Sequence, residues 1–287
     1  MSARCTRPSH APAARRLLRA TLALALIAPV APAAAQLPRE YRYDFTVTKA
    51  GEPASTGTVY VAGDQWRIDF AGRGEKKSGD YLLSQDGGRT VTIVHPDERS
   101  YSVHAADDFE RIVSRVMRGL DAVMTLQLHD AKVAAAALGA GEAVAGRPTQ
   151  RYRLTQEYVV SVGMFGFSSD KHERVVTEYW VDPTLALPHN PVVEMMSTLE
   201  TALAQHDDAF VRRSDEARRK LFRGVPLKVV VTAESTDEED DDAAAGAVER
   251  KVRTIQLGEV QRVAIEPPVF QVPAGFKKQE GEFSFSL

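Results

Sequence analysis

Between Tyr41 and Val103 the chain is a series of short alternating runs joined by connections too short to cross a sheet. Tyr41, Tyr43, Phe45 and Val47 fall on one side of the first run, and Arg42, Asp44, Thr46 and Thr48 on the other. That period of two describes a strand with one apolar and one polar face. Gly51-Glu52-Pro53 breaks it. A second strand, Thr58 to Val61, turns at Gly63-Asp64 into a third in which Trp66, Ile68 and Phe70 share a face. After the polar loop from Gly72 to Gly79, three more strands follow over Tyr81–Ser84, Thr90–Val94 and Ser100–Val103. Asp86-Gly87-Gly88 and Pro96-Asp97-Glu98 supply the turns between them. Parallel neighbours need a crossover of about a dozen residues, so the pattern predicts an antiparallel meander.

The period changes at Asp107. Phe109, Ile112, Val113, Val116, Leu120, Val123 and Met124 fall on one helical face, with Asp107 or Asp108 as N-cap. Ala131 to Ala145 is rich in alanine and glycine and reads as a short helix or a loop. Strand character returns with Tyr152, Leu154, Tyr158, Val160 and Val162. Met164-Phe165-Gly166-Phe167 then connects to a strand over Val175–Val181, as in a long hairpin. Thr177 to Asp182, followed by Pro183, reads as a strand with a proline stop. Residues 191–222 read as a second helix, broken near His206-Asp207-Asp208. Pro226–Thr232, Lys251–Leu257 and Val260–Ile265 are further strands, and residues 235–247 form an acidic, flexible insertion. Strands, helix, strands, helix, strands predict an α+β fold: a curved antiparallel sheet with helices packed on its concave face.

The first 35 residues read as a signal peptide. Arg4, Arg7, Arg15, Arg16 and Arg19 precede a short apolar run from Ala20 to Val30, and Ala33-Ala34-Ala35 offers a small-residue cleavage site. The run falls short of the ~20 residues a spanning helix needs, so no transmembrane segment is expected after cleavage. Arg15-Arg16 leaves twin-arginine export open beside ordinary secretion. Cleavage after Ala35 leaves residues 36–287 as one domain, periplasmic or secreted. It also removes the one cysteine, Cys5, and with it any disulfide or thiolate chemistry. Of 36 basic and 39 acidic residues the leader takes five arginines and no acid, so 31 stand against 39, a formal charge of −8. That balance excludes nucleic acid as a partner, because its binding needs a basic footprint.

Several stretches carry a family resemblance: Gly63-Asp64-Gln65-Trp66-Arg67-Ile68, the Tyr81–Tyr101 meander with its His95-Pro96 turn, and Gly146 to Tyr152. Glu178-Tyr179-Trp180-Val181-Asp182-Pro183 and Phe270 to Phe276 complete the set. In these the chain resembles an exported bacterial domain-of-unknown-function family related to the periplasmic lipoprotein carriers. The carrier fold is a half-barrel with helices filling its concave side. The resemblance implies an apolar pocket between sheet and helices, with a lipid or other hydrophobic ligand. It implies no catalytic residue and no cofactor. The acidic insertion and the broken second helix depart from the carriers.

Candidate ligand-binding residues follow from side-chain type. Met117, Met124 and Met196 lie on or beside the predicted helices, and flexible, polarizable methionine suits a pocket for varied apolar ligands; ordinary core filling is the competing reading. Phe165 and Phe167 sit at the expected hairpin tip. Exposed there, they mark contact with a ligand, a membrane or an envelope protein partner; longer strands would bury them. His95, His104, His129, His172, His189 and His206 show no metal-ligand spacing, and no G-x-S-x-G occurs. No metal, cofactor or enzymatic activity is expected. Phe283, Phe285 and Leu287 alternate like the last strand of an outer-membrane barrel, but the predicted helices exclude a barrel. Two functions lead: noncatalytic binding of a hydrophobic ligand, and a protein-interaction or envelope-assembly module; an enzyme ranks third, with no motif behind it.

Overall fold

The computed structural model describes residues 40–71, 79–105, 124–164, 167–187, 190–194, 208–221, 223–237 and 248–279. Six strands open it: β1 (Glu40–Lys49), β2 (Ser55–Ala62), β3 (Gln65–Phe70), β4 (Tyr81–Ser84), β5 (Thr90–His95) and β6 (Ser100–Ala105). Three long strands follow, β7 (Met124–Val144), β8 (Arg147–Met164) and β9 (Phe167–Asp182). Helix α1 (Asp208–Leu221) precedes β10 (Val225–Asp237), β11 (Glu249–Leu257), β12 (Gln261–Arg262) and β13 (Lys277–Lys278). Among the described residues these strands make one sheet, ordered β13-β6-β5-β4-β3-β2-β1-β11-β10-β9-β8-β7, with β12 beside β1.

Register explains the core. Directly opposed residues share a face of the sheet, and Tyr43, Val59, Ile68, Leu82, Ile93 and Ser102 form one row from β1 to β6. A second row runs the other way: Val47, Ile255, Val229, Tyr179, Tyr152 and Ala137 from β1 to β7. Tyr41, Tyr43, Phe45, Val59, Val61, Trp66 and Ile68 are buried on this core face, along with Leu82, Ile93, Ile255 and Leu257. Gly57 is needed there, because the Phe45 ring lies against it. A Cβ at Gly57 would stand 2.5 Å from Phe45 Cζ, and the ring meets Phe70 edge-on at 5.9 Å.

Helix α1 packs on the same face of the long strands. Ala217 joins the cluster of Leu154, Tyr179, Val181 and Val229. Phe210 meets the Tyr158 ring at 5.3 Å, and Gln156 Nε2 donates to Ser214 Oγ at 3.0 Å. Leu154, Gln156 and Tyr158 are spaced by two, so one face of β8 makes all these contacts.

The opposite face of the meander is covered by the C-terminal segment. Val272 and Phe276 pack on Tyr81, Leu83, Val94 and Tyr101. Arg67 stacks 3.7 Å from the Tyr81 ring centroid and donates to the Val269 carbonyl at 3.2 Å. The chain then enters beside β6, where Lys277 and Lys278 pair in parallel with Ser100 and Tyr101.

The expected α+β class is corrected. The chain is mostly one large mixed sheet. Helix among the described residues amounts to α1, a turn at 191–194 and a 3-10 turn at Pro267–Phe270. It is mixed because the C-terminal segment returns over the far face and adds β13 in the parallel sense. The alanine-rich stretch from Ala131 is neither helix nor loop but the middle of β7, and Met124 opens that strand instead of lying on a helix. Cross-strand pairing with β8 overrides weak local preference, and three register shifts absorb the irregular places. Over Val260–Ile265 only Gln261 and Arg262 are paired. The six-strand meander and the β8–β9 hairpin are as predicted, with Met164 opposite Phe167. The first predicted helix up to Val123, the middle of the second, and residues 238–247 lie outside the described residues.

Candidate functional site

On the core face, Tyr43 meets the start of the helical turn at 191–194. Asn190 precedes Pro191, an N-cap position followed by a proline with its φ already helical. An N-cap side chain ordinarily accepts from its own first turn. Here Asn190 Oδ1 accepts instead from the Tyr43 hydroxyl of β1, at 2.8 Å. Glu194 Oε1 closes the turn by accepting from the Asn190 backbone N–H at 2.8 Å. Burial pushes the Tyr43 hydroxyl well above the ordinary tyrosine range, and Tyr41 and Glu194 push it the same way. Tyr43 is therefore a neutral donor at any physiological pH. Two further donors on this face, Asn190 Nδ2 and Trp66 Nε1, are buried with no protein partner. At the far end of the row, His104 Nε2 and Ser102 Oγ lie 2.8 Å apart, both buried.

The opposite face of the long strands carries a charge ladder. Glu178 on β9 accepts from Arg151 at 2.7 Å and from Arg153 at 2.6 and 2.8 Å. Burial would raise the Glu178 carboxyl, but these bonds outweigh it and hold it below its ordinary value. Trp180 lies between Arg151 on β8 and Lys228 on β10, with cations 5.0 and 4.7 Å from the ring. Lys228 also donates to Glu142 at 2.6 Å. Asp182, fully buried, pairs with Arg147 and accepts from the Thr184 N–H and hydroxyl at 2.8 and 2.7 Å. Its carboxyl too is held low, with burial opposing and the Thr184 and Arg147 bonds prevailing.

One cluster on this face has the composition of a catalytic triad. His129 Nδ1 lies 3.2 Å from Asp130 and its Nε2 lies 2.7 Å from Ser161 Oγ. The Ser161 hydroxyl, however, donates to Asp170 at 2.6 Å. A nucleophile has to offer its proton to the histidine, and here a carboxylate takes it. The cluster is a cross-strand hydrogen-bond relay joining β7, β8 and β9. Among the described residues no three His, Cys, Asp or Glu side chains gather as a metal site.

Comparison with known proteins adds little to this geometry. No family model matches the chain, and no curated protein does. Among solved structures, a LolA superfamily protein from Nitrosomonas europaea is similar over 82% of this chain and 90% of its own, at 10% identity and a TM-score of 0.31. So loose a likeness carries no argument about function.

Of the residues singled out from sequence, Met117, Phe165 and Met196 lie outside the described residues. Backbone register brings Met124, Met164 and Phe167 together at one end of the long strands, Met164 pairing with both of the others. The Tyr43–Asn190 pair was not anticipated. Asn190-Pro191 is a legible helix start, but nothing in the sequence indicates a partner 147 residues away.

Proposed function

We propose that this chain is an exported, noncatalytic binder of a hydrophobic or lipid-like ligand held against the core face of its sheet. What carries the reading is the continuity of that face, whose apolar rows cross from β6 through β1 to β7. Its covering includes α1 and Val192, and buried donors on the face stay unpaired by protein groups. Ligand sites are largely apolar with a few placed polar groups, and this face has that composition. The leader over residues 1–35 would direct residues 36–287 to the periplasm or beyond.

A second reading, a protein-interaction module, is favoured by β7. It is the last strand of the sheet among the described residues, and its residues from Ala134 to Ala140 are all exposed. An open edge of that kind accepts an added strand.

Native mass spectrometry of gently purified protein separates the two. A co-purified lipid mass that organic extraction removes is the expected result. A stoichiometric protein partner with no lipid supports the second reading, and empty protein that binds no apolar dye overturns the first.

A further inference from the structure

Resting on the reading of the core face as a ligand surface, we propose that its ligand carries a neutral hydrogen-bond acceptor, the carbonyl of an acyl ester or amide, received by Asn190 Nδ2. The amide orientation is set by its neighbours. Tyr43 Oη donates its single proton to Asn190 Oδ1 at 2.8 Å, and the nitrogen is turned away. That NH2 group is buried without a protein partner, in a residue that is 9% exposed. An unpaired buried donor is costly, and native proteins supply such groups with an acceptor.

The chemistry of the acceptor follows from what surrounds it. A second unpaired group on the core face, Trp66 Nε1, is also a donor. It lies two strands from β1 through Val61, roughly 10 Å across the sheet at about 4.8 Å per strand. Two donors and an apolar floor exclude a cationic head. Glu194 Oε1 accepts from the Asn190 backbone N–H at 2.8 Å, so its carboxylate stands beside this residue and repels a second one. A neutral carbonyl on a hydrocarbon chain satisfies all three conditions.

The test is displacement of N-phenyl-1-naphthylamine from the full-length protein by methyl palmitate, palmitate and octadecane. Methyl palmitate should displace the dye at about tenfold lower concentration than octadecane, the equivalent of one net hydrogen bond, and should outcompete palmitate. Asn190→Leu should abolish the preference for the ester over octadecane. Tyr43→Phe breaks the same Tyr43–Asn190 bond yet keeps the amide N–H, and so should retain the preference whatever it does to overall affinity. Equal displacement by ester and hydrocarbon on the wild-type protein, which needs no variant to fold, would assign Asn190 Nδ2 to a trapped water and overturn the proposal while leaving hydrophobic binding intact. Tighter binding of palmitate overturns the neutral head. Failure of the dye to bind removes the underlying reading instead.

Discussion

Trp180 shows how much one residue can carry on a sheet face. It is buried on a side of β9 that otherwise carries charged side chains: it joins the main apolar cluster, Arg151 and Lys228 set their cations over its ring, and Gly141 leaves room beneath it. A Cβ at Gly141 would come within 2.8 Å of Trp180 Cδ1. Trp180→Ala should therefore cost about 3–5 kcal/mol, read from the denaturation midpoint at unchanged m-value; full stability in the variant would contradict this packing. Asp182 ends the strand two residues later and supplies a pH dependence. Its folded carboxyl titrates below its unfolded value, so its contribution is complete above the ordinary aspartate value near 4 and is lost as pH falls through the folded one. Wild type should exceed Asp182→Asn in stability at pH 7, and the gap should close in acid. A gap independent of pH would show that the charge contributes nothing.

At the scale of elements, β7 is the instructive strand. Its sequence from Ala131 to Ala145 has no strong preference, and β8 decides its conformation by pairing with it almost from end to end. The register shifts have consequences that can be measured. Leu138 falls between Ala137 and Gly139 at one such shift and is 38% exposed, whereas Leu154 on β8 faces the core at 1%. Leu138→Lys should leave stability within about 0.5 kcal/mol of wild type, and Leu154→Ala should lower it by about 2–5 kcal/mol. Chemical denaturation of the two side by side checks the register, since a slip of one residue would exchange the faces.

At the scale of the molecule, the sheet has work on both faces. The core face collects tyrosine, phenylalanine and aliphatic side chains from strands far apart in sequence. The reverse face is covered by the C-terminal segment over the meander and studded with paired charges over the long strands. The two edges differ as well. β6 receives β13 along part of its length, while β7 is the last strand on its side among the described residues. The proposed ligand binding would use the first face and the alternative, strand addition, the β7 edge.

The sequence by itself determined the meander. Tyr41, Tyr43 and Phe45 alternate with polar residues, Gly63-Asp64 and Asp86-Gly87-Gly88 mark the turns, and short connections leave only antiparallel pairing. It also marked the β8–β9 hairpin and the stop after Asp182, because those signals are local in chain and in space. Tertiary structure alone decided that the alanine-rich stretch is a strand, since its stability comes from a partner strand and not from its own side chains. It likewise decided that β13 joins in parallel after the chain has crossed the far face. The pairing of Tyr43 with Asn190 was decided there too: each has an ordinary local role, and only folding 147 residues of chain between them makes the two one group with a donor to spare.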